Sequence, residues 1–416
     1  MPPSLIAATP TDLATSPEPV PPKAVAGTPA YRAATRALFF GGFAAFANLY
    51  GLQPLMPAFS QDFSLSPAAA SGVVSVSTGL LAIGLIPAGM LAQRFGPRPV
   101  MLCSLGLAAL LNLLAAVAQD YASILVLRGL LGLALAGMPA VAMAYLSEEI
   151  DPASLGRAIG LLIAGNALGG MCGRMIASLL GDWYSWRVAL AVLGLVGLCS
   201  ASLFWRYLPA SHHFRPGRFD GRQFLLDLRG HLTDGGLPWF FLLAFLLMGC
   251  FVSLYNYLAY RLGSAPFSLR PSLIGLVFSL YMVGMFSSAW AGQLADRLGR
   301  RKVLWLTVLL TLGGLLLTMA ESLLLVIIGI ALFTFGFFAA HSVASSWVGR
   351  RATRAKTLAS SIYLTSYYLG SSLLGSASGL MWAVDRWHGV AALLAAILVA
   401  CLAIALHLRK LEPKPT

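Results

Sequence analysis

Charge is what this chain has least of. Asp, Glu, Lys and Arg together make up 10% of the 416 residues, while 58% are hydrophobic. A typical soluble domain carries about 25% charged residues, so a water-soluble globule of this composition would strand too much hydrocarbon at its surface. Carboxylates are scarcer still: there are 15, all in loops, tails or the ends of apolar runs. The five cysteines (Cys103, Cys172, Cys199, Cys250, Cys401) show no Cys-x-x-Cys spacing and no histidine cluster. They read as buried small hydrophobes, not as disulfides or metal ligands. A Gly-x-x-x-x-Gly-Lys-Ser/Thr phosphate loop is absent, and no acid, base and nucleophile converge. Direct use of ATP, a cofactor, a metal and enzymatic chemistry are therefore not expected.

What the chain does have is long apolar runs, each close to the roughly 20 residues that cross a bilayer. Twelve fall at 36–59, 68–91, 99–118, 121–146, 156–180 and 186–208, then at 238–262, 271–294, 302–320, 322–347, 356–381 and 387–408. The net charge of +13 is read as orienting charge that meets anionic lipid, not as a nucleic-acid surface. With both termini in the cytoplasm, 22 Lys and Arg fall in cytoplasmic segments and four (Arg187, Arg261, Arg270, Arg386) outside, which is the bias that sets orientation. Trp183, Trp186 and Trp387 are expected in an interfacial belt. The Pro-rich residues 1–35 read as a disordered cytoplasmic tail without a cleavable signal, and 409–416 as a second tail. Between the halves, residues 209–236 carry His212, His213 and four arginines. Either they form an amphipathic helix using Phe219, Phe224, Leu225, Leu226 and Leu228, or they are a plain tether.

The apolar runs are punctuated twice by one pattern. Gly89-Met-Leu-Ala-Gln93-Arg94-Phe-Gly96-Pro-Arg98-Pro recurs 203 residues later as Gly292-Gln-Leu-Ala-Asp296-Arg297-Leu-Gly299-Arg300-Arg301-Lys302. A basic loop between two spans, repeated half a chain apart, says that the protein is built twice. Both copies resemble the signature loop of the major facilitator superfamily, and Gln93, Pro97 and Pro99 are where the first departs from it. The resemblance implies an all-α membrane protein with twelve transmembrane helices in two pseudo-twofold-related six-helix bundles, here 36–208 and 237–408. It also implies that the loops gate the cytoplasmic side. Asp296 would then meet the fifth helix near Gly156-Arg157, and the uncharged Gln93 would face Lys356-Thr357, giving a lopsided latch.

Further resemblances narrow the group. Gly165-Asn-Ala-Leu-Gly169-Gly170 in the fifth span is similar to the antiporter motif of drug-efflux members, with Asn166 where proline is usual. This stretch and the end of the fourth span look like the twelve-helix bacterial drug:proton antiporter-like group called arabinose-efflux permeases. Small residues here and at Gly370, Gly375 and Gly379 let helices approach closely, and in this architecture those helices line the seam between the halves. Arg128-x-x-x-Gly132 matches the family motif whose arginine is linked to proton coupling; a structural pairing with a helix end is the alternative. Arg174 either snorkels outward or lines the cavity, and burying either cation costs about 2.5–3.5 kcal/mol. His341 is read as a proton carrier or as a hydrogen-bonded structural histidine, and Glu148, Glu149 and Asp62 are the nearest candidate carboxylates, with Glu148 taken for proton coupling. Polar and aromatic residues that could line a midplane site are Asn48, Tyr50, Gln53, Asn166, Tyr255, Asn256, Tyr363 and Tyr367. With inward arginines and no carboxylate, the substrate is expected to be neutral or anionic.

The expected function is secondary active transport of a small molecule by alternating access, through proton-coupled export across a bacterial inner membrane by a monomer. The alternatives are an uncoupled or importing facilitator and a non-transporting sensor.

Overall fold

The computed structural model describes residues 21–214, 217 and 220–411. Twelve membrane crossings are built from α-helix, because a span in lipid must satisfy every backbone N–H and C=O within itself. They are α1 (Pro29–Tyr50), α2 (Gly72–Phe95), α3 (Pro97–Val117), α4 (Tyr121–Leu135 and Pro139–Glu149), α5 (Pro152–Trp183) and α6 (Trp186–Tyr207). After the central segment come α7 (Leu237–Gly263), α8 (Pro271–Leu298), α9 (Arg300–Leu317) and α10 (Leu323–Arg351). The last helix, Lys356–Arg409, is bent at non-helical Asp385 and Arg386 and crosses twice, as α11 (356–384) and α12 (387–409).

The local chemistry explains most boundaries. Thr28, Asp120 and Ser185 accept backbone N–H groups at the starts of α1, α4 and α6, and prolines occupy the first turns of α1, α3 and α5. The fourth span, expected to be continuous, is interrupted at 136–138. Pro139 offers no N–H to the preceding turn, so the helix stops and restarts. The repeat reaches the backbone itself: Gly96 (φ 91°) and Gly299 (φ 86°) each join two spans in a left-handed conformation, which glycine alone adopts freely.

Helix pairing shows the same duplication. In the first half α1 packs on α5, α2 on α4 and α3 on α6; in the second, α7 packs on α11, α8 on α10 and α9 on α12. The halves then cross-pack as α2 against α11 and α5 against α8. Leu107, Leu110 and Leu114 on α3, and Leu306, Leu309 and Leu316 on α9, are left exposed, as lipid-facing surfaces require.

Several expectations need correction. Cys103 and Cys199 are exposed, not buried, although all five cysteines are free; an outward position in lipid suits a small hydrophobe equally well. Trp183 is exposed, but Trp186 and Trp387 are buried, donating to Asp62 (2.6 Å) and to the Thr318 carbonyl (3.1 Å). The tail expected to run to residue 35 ends sooner. Ala24 exchanges backbone hydrogen bonds with Glu149 and Asp151, and helix begins at Pro29; residues 1–20 lie outside the described residues. Within 209–236 an amphipathic helix, Gly221–Leu232, does form, with Leu225 and Leu226 exposed and His231 buried against the Ala355 carbonyl. Phe219 lies outside the described residues.

Candidate functional site

The seam between the halves is closed on one face only. On the face opposite the basic loops, Ser75 Oγ accepts from Ser376 (2.7 Å), the Ser75 carbonyl accepts from Ser372 (2.7 Å), and Ser60 meets Tyr260 (2.7 Å). Asp182 at the end of α5 accepts from the Ser272 N–H (3.3 Å) and lies 3.8 Å from Arg270. Among the described residues, every hydrogen bond that directly joins the two bundles lies toward this face. Toward the basic loops, a side chain added at Gly89, Gly156, Gly160 or Gly292 would meet nothing within 4 Å. Asp296 is 65% exposed and pairs with Arg300, the first residue of the next helix (2.9 Å). The proposed partner at Gly156-Arg157 is not engaged in this conformation. Gln93 contributes its carbonyl to Gly217, and Arg94 lies over Phe95. Toward the basic loops, no hydrogen bond among the described residues joins the two bundles.

On the bonded side of the seam sits one polar chain. The Arg174 Nε donates to Gln53 Oε1 (2.6 Å); Gln53 Nε2 donates to Asn256 Oδ1 (2.6 Å) and to the Val252 carbonyl (3.3 Å). Asn256 in turn donates to the Gly375 carbonyl (3.3 Å). α5, α1, α7 and α11 are thus linked through one glutamine. The Arg174 guanidinium carbon lies 4.8 Å from the Tyr50 ring, 4.8 Å from Tyr281 and 5.6 Å from Phe278, and the residue is 2% exposed. It does not snorkel outward. Beyond the arginine, His341 Nδ1 lies 3.0 Å from Tyr363 Oη, and its ring lies 4.7 Å from Tyr367.

Other sequence candidates fall elsewhere. Arg128 is fully buried inside the first half. It donates to the carbonyls of Asn48 (2.7 Å), Leu49 (2.5 Å) and Val73 (3.1 Å), with Asn112 Oδ1 at 3.4 Å. The last turn of any helix leaves its carbonyls unpaired and carries the negative end of the helix dipole; Arg128 caps α1 there. The geometry matches the helix-end pairing. Asn48 donates to Ala44 and packs near Gly197, and Tyr255 bonds Thr334 beneath Phe278. Asn166 fills the space at Gly42 of α1.

The glycine stripe of α5 is also relocated. Gly165 and Gly169 lie against the Phe39 and Phe43 backbones of α1, and Gly173 against Ala47, within one half. Gly170 adjoins the Arg174 guanidinium. These glycines form a fixed intrabundle contact and not the sliding seam. On α11, Gly370 packs on Phe245 of α7, while Gly375 and Gly379 also reach the other half, at Ser75 and Ala68. The sequence singled out neither Tyr281 nor the Ser75, Ser372 and Ser376 cluster. Serine and tyrosine in apolar runs carry no periodic signal that separates a seam from a core.

Glu148, past the end of the fourth apolar run, lies on the basic-loop side beside Lys23, His212 and His213. Burial, reinforced by Glu149, raises its carboxyl above the ordinary 4.5. Glu149 holds His213 through its ring (3.0 Å) and its backbone N–H (2.8 Å). This cluster is remote from the Arg174 cage and belongs to the loop face.

Comparison with known proteins agrees with this architecture. The family model described as Major Facilitator Superfamily matches residues 38–265 and 262–416. The inner membrane transport protein YnfM of Escherichia coli is 46% identical over 92% of this chain and 92% of its own. The MFS-type transporter YybF of Bacillus subtilis is 43% identical over 94% and 96%. Among solved structures, a bacterial homologue of the human lysosomal transporter Spinster superposes with a TM-score of 0.79, covering 92% of this chain and 98% of that one at 16% identity.

Proposed function

Because the chain belongs to the Major Facilitator Superfamily and is a multi-pass membrane transporter, we propose that it exports a small molecule in exchange for protons by alternating access. The observation that carries this reading is the one-sided seam: hydrogen bonds join the halves on one face, while among the described residues none joins them toward the basic loops. With the basic loops in the cytoplasm, as the Lys and Arg bias favours, the conformation described here is inward-open and receives substrate from the cell. In the alternate state Asp296 would leave Arg300 for the start of α5, where a helix dipole favours a carboxylate. Gln93 offers no charge to the matching site on α11. His341 with Tyr363 is the proton-carrying pair in this scheme. The bacterial inner membrane is the proposed location, and one chain holds a complete site.

A second reading is an uncoupled facilitator, and one observation favours it: among the described residues no carboxylate lies in the middle of a span. Inside-out vesicles with an acidified lumen separate the two. Coupled export predicts uptake above equilibrium that collapses with a protonophore. Equilibration without accumulation would replace exchange by facilitation. Binding without any movement would leave only a sensor.

A further inference from the structure

The seam between the halves buries hydrogen-bond donors without an acceptor. Of the Arg174 nitrogens, Nε is used by Gln53 and Nη1 by the Gly170 carbonyl (2.6 Å), while Nη2 makes no hydrogen bond among the described residues. Tyr281 Oη is buried and without a partner, and Tyr50 Oη and Ser371 Oγ, also buried, have no partner beyond each other. The rings of Tyr50 and Tyr281 are those that flank the guanidinium. No carboxylate of the described residues pairs with Arg174. Asp182 lies eight residues further along α5, about 12 Å by helical rise, and is engaged by Arg270 and Ser272.

A buried charge without an opposite charge is costly, and stacked aromatic faces return about 0.5–2 kcal/mol of that. A guanidinium has no acceptor to offer, and hydroxyl groups can always donate. An incoming group that only accepts, and carries one negative charge, completes the set. An ammonium would meet a like charge, and a neutral amide would leave that charge unbalanced. A phosphate dianion would want a second cation, and among the described residues none contacts this group of side chains.

We infer that, within the transport reading above, the cargo is a small organic monocarboxylate whose carboxylate binds Arg174 with the hydroxyls of Tyr50, Tyr281 and Ser371. Its apolar body lies toward the rings of Tyr367 and His341, which face each other at 4.7 Å. Because Arg174 also holds Gln53, the carboxylate binds directly against the chain that closes the outer face.

The test uses the purified full chain and defined probes: acetate, lactate, hexanoate and benzoate, with benzamide as the neutral match and benzamidine as the cationic one. At least one carboxylate should raise the melting temperature in a saturable way, and neither control should match it. Arg174→Gln should weaken that binding about 10- to 100-fold, as loss of a charge-assisted hydrogen bond implies. Arg174→Lys should retain part of it, and Tyr281→Phe, which removes one unpartnered hydroxyl, should weaken binding several-fold with little effect on unliganded stability. Equal stabilisation by benzamide or benzamidine, no effect of any carboxylate, or binding unchanged in Arg174→Gln would overturn the inference. Counterflow in proteoliposomes keeps the two readings apart. Exchange of cations or neutral compounds alone sinks the carboxylate and leaves transport standing; carboxylate binding without exchange does the reverse.

Discussion

Cutting Gln53 back to alanine should unlatch the outer face. Its side chain accepts one bond from the Arg174 guanidinium and donates to Asn256 and to the Val252 carbonyl. The bond to Arg174 lies within the first half and survives opening, so only the two neutral bonds to the second half, about 0.5–1.5 kcal/mol each, hold the seam here. Water reaching the freed groups recovers part of this. We therefore expect a net loss of about 1–2 kcal/mol from outer closure, which is about a 5- to 30-fold rise in the fraction of time the seam is open. A nearly isosteric cysteine at Val252, which is 1% exposed, reports that opening when the native cysteines have been replaced by alanine. In right-side-out vesicles its alkylation by an impermeant maleimide should accelerate by the same factor in the Gln53→Ala background. An unchanged labelling rate would show that the serine cluster and the Asp182 contacts hold the seam without Gln53, and the reasoning about the hub would fail.

Other consequences can be checked separately. Asp296→Asn should leave the stability of the inward-open form within about 0.5 kcal/mol, since an exposed pair contributes little, yet raise its population under turnover; Gln93→Asp should favour the outward-open form. Distances between spin labels on the basic-loop ends of α5 and α8 would decide, and indifference to both substitutions would refute the latch. Gly169→Ala places a methyl 2.1 Å from the Phe43 carbonyl oxygen and should destabilise by about 1–3 kcal/mol in thermal unfolding. Gly89→Ala, with nothing within 4 Å, should be neutral or gain up to about 1 kcal/mol. Glu148 has a folded-state pKa above its ordinary 4.5, so the native state holds the proton more tightly. Stability then falls as pH rises from 4.5 through the raised value, and the penalty persists above it. Glu148→Gln should flatten that part of the melting temperature against pH; an unaltered slope would show that the carboxyl does not contribute.

Much of the architecture was legible in the chain because membrane helices are local objects. Each span closes its own backbone hydrogen bonds, so apolar length, the basic loops and the Gly96/Gly299 repeat sufficed to count the crossings and pair the halves. Where the reading slipped, a second residue intervened: Pro139 broke α4, and Asp62 and Thr318 drew Trp186 and Trp387 inward.

Function at the level of single side chains was not legible in the same way. Arg128 and Arg174 look alike in sequence, as lone cations in apolar runs. One sits where α1 ends and is consumed by its orphan carbonyls; the other lies at the seam between the halves with a nitrogen to spare. Composition determined that two cations would be held in the membrane. Which of them could meet a substrate depended on the rotation of each helix about its axis, and rotation is set by neighbours that are dozens to hundreds of residues away.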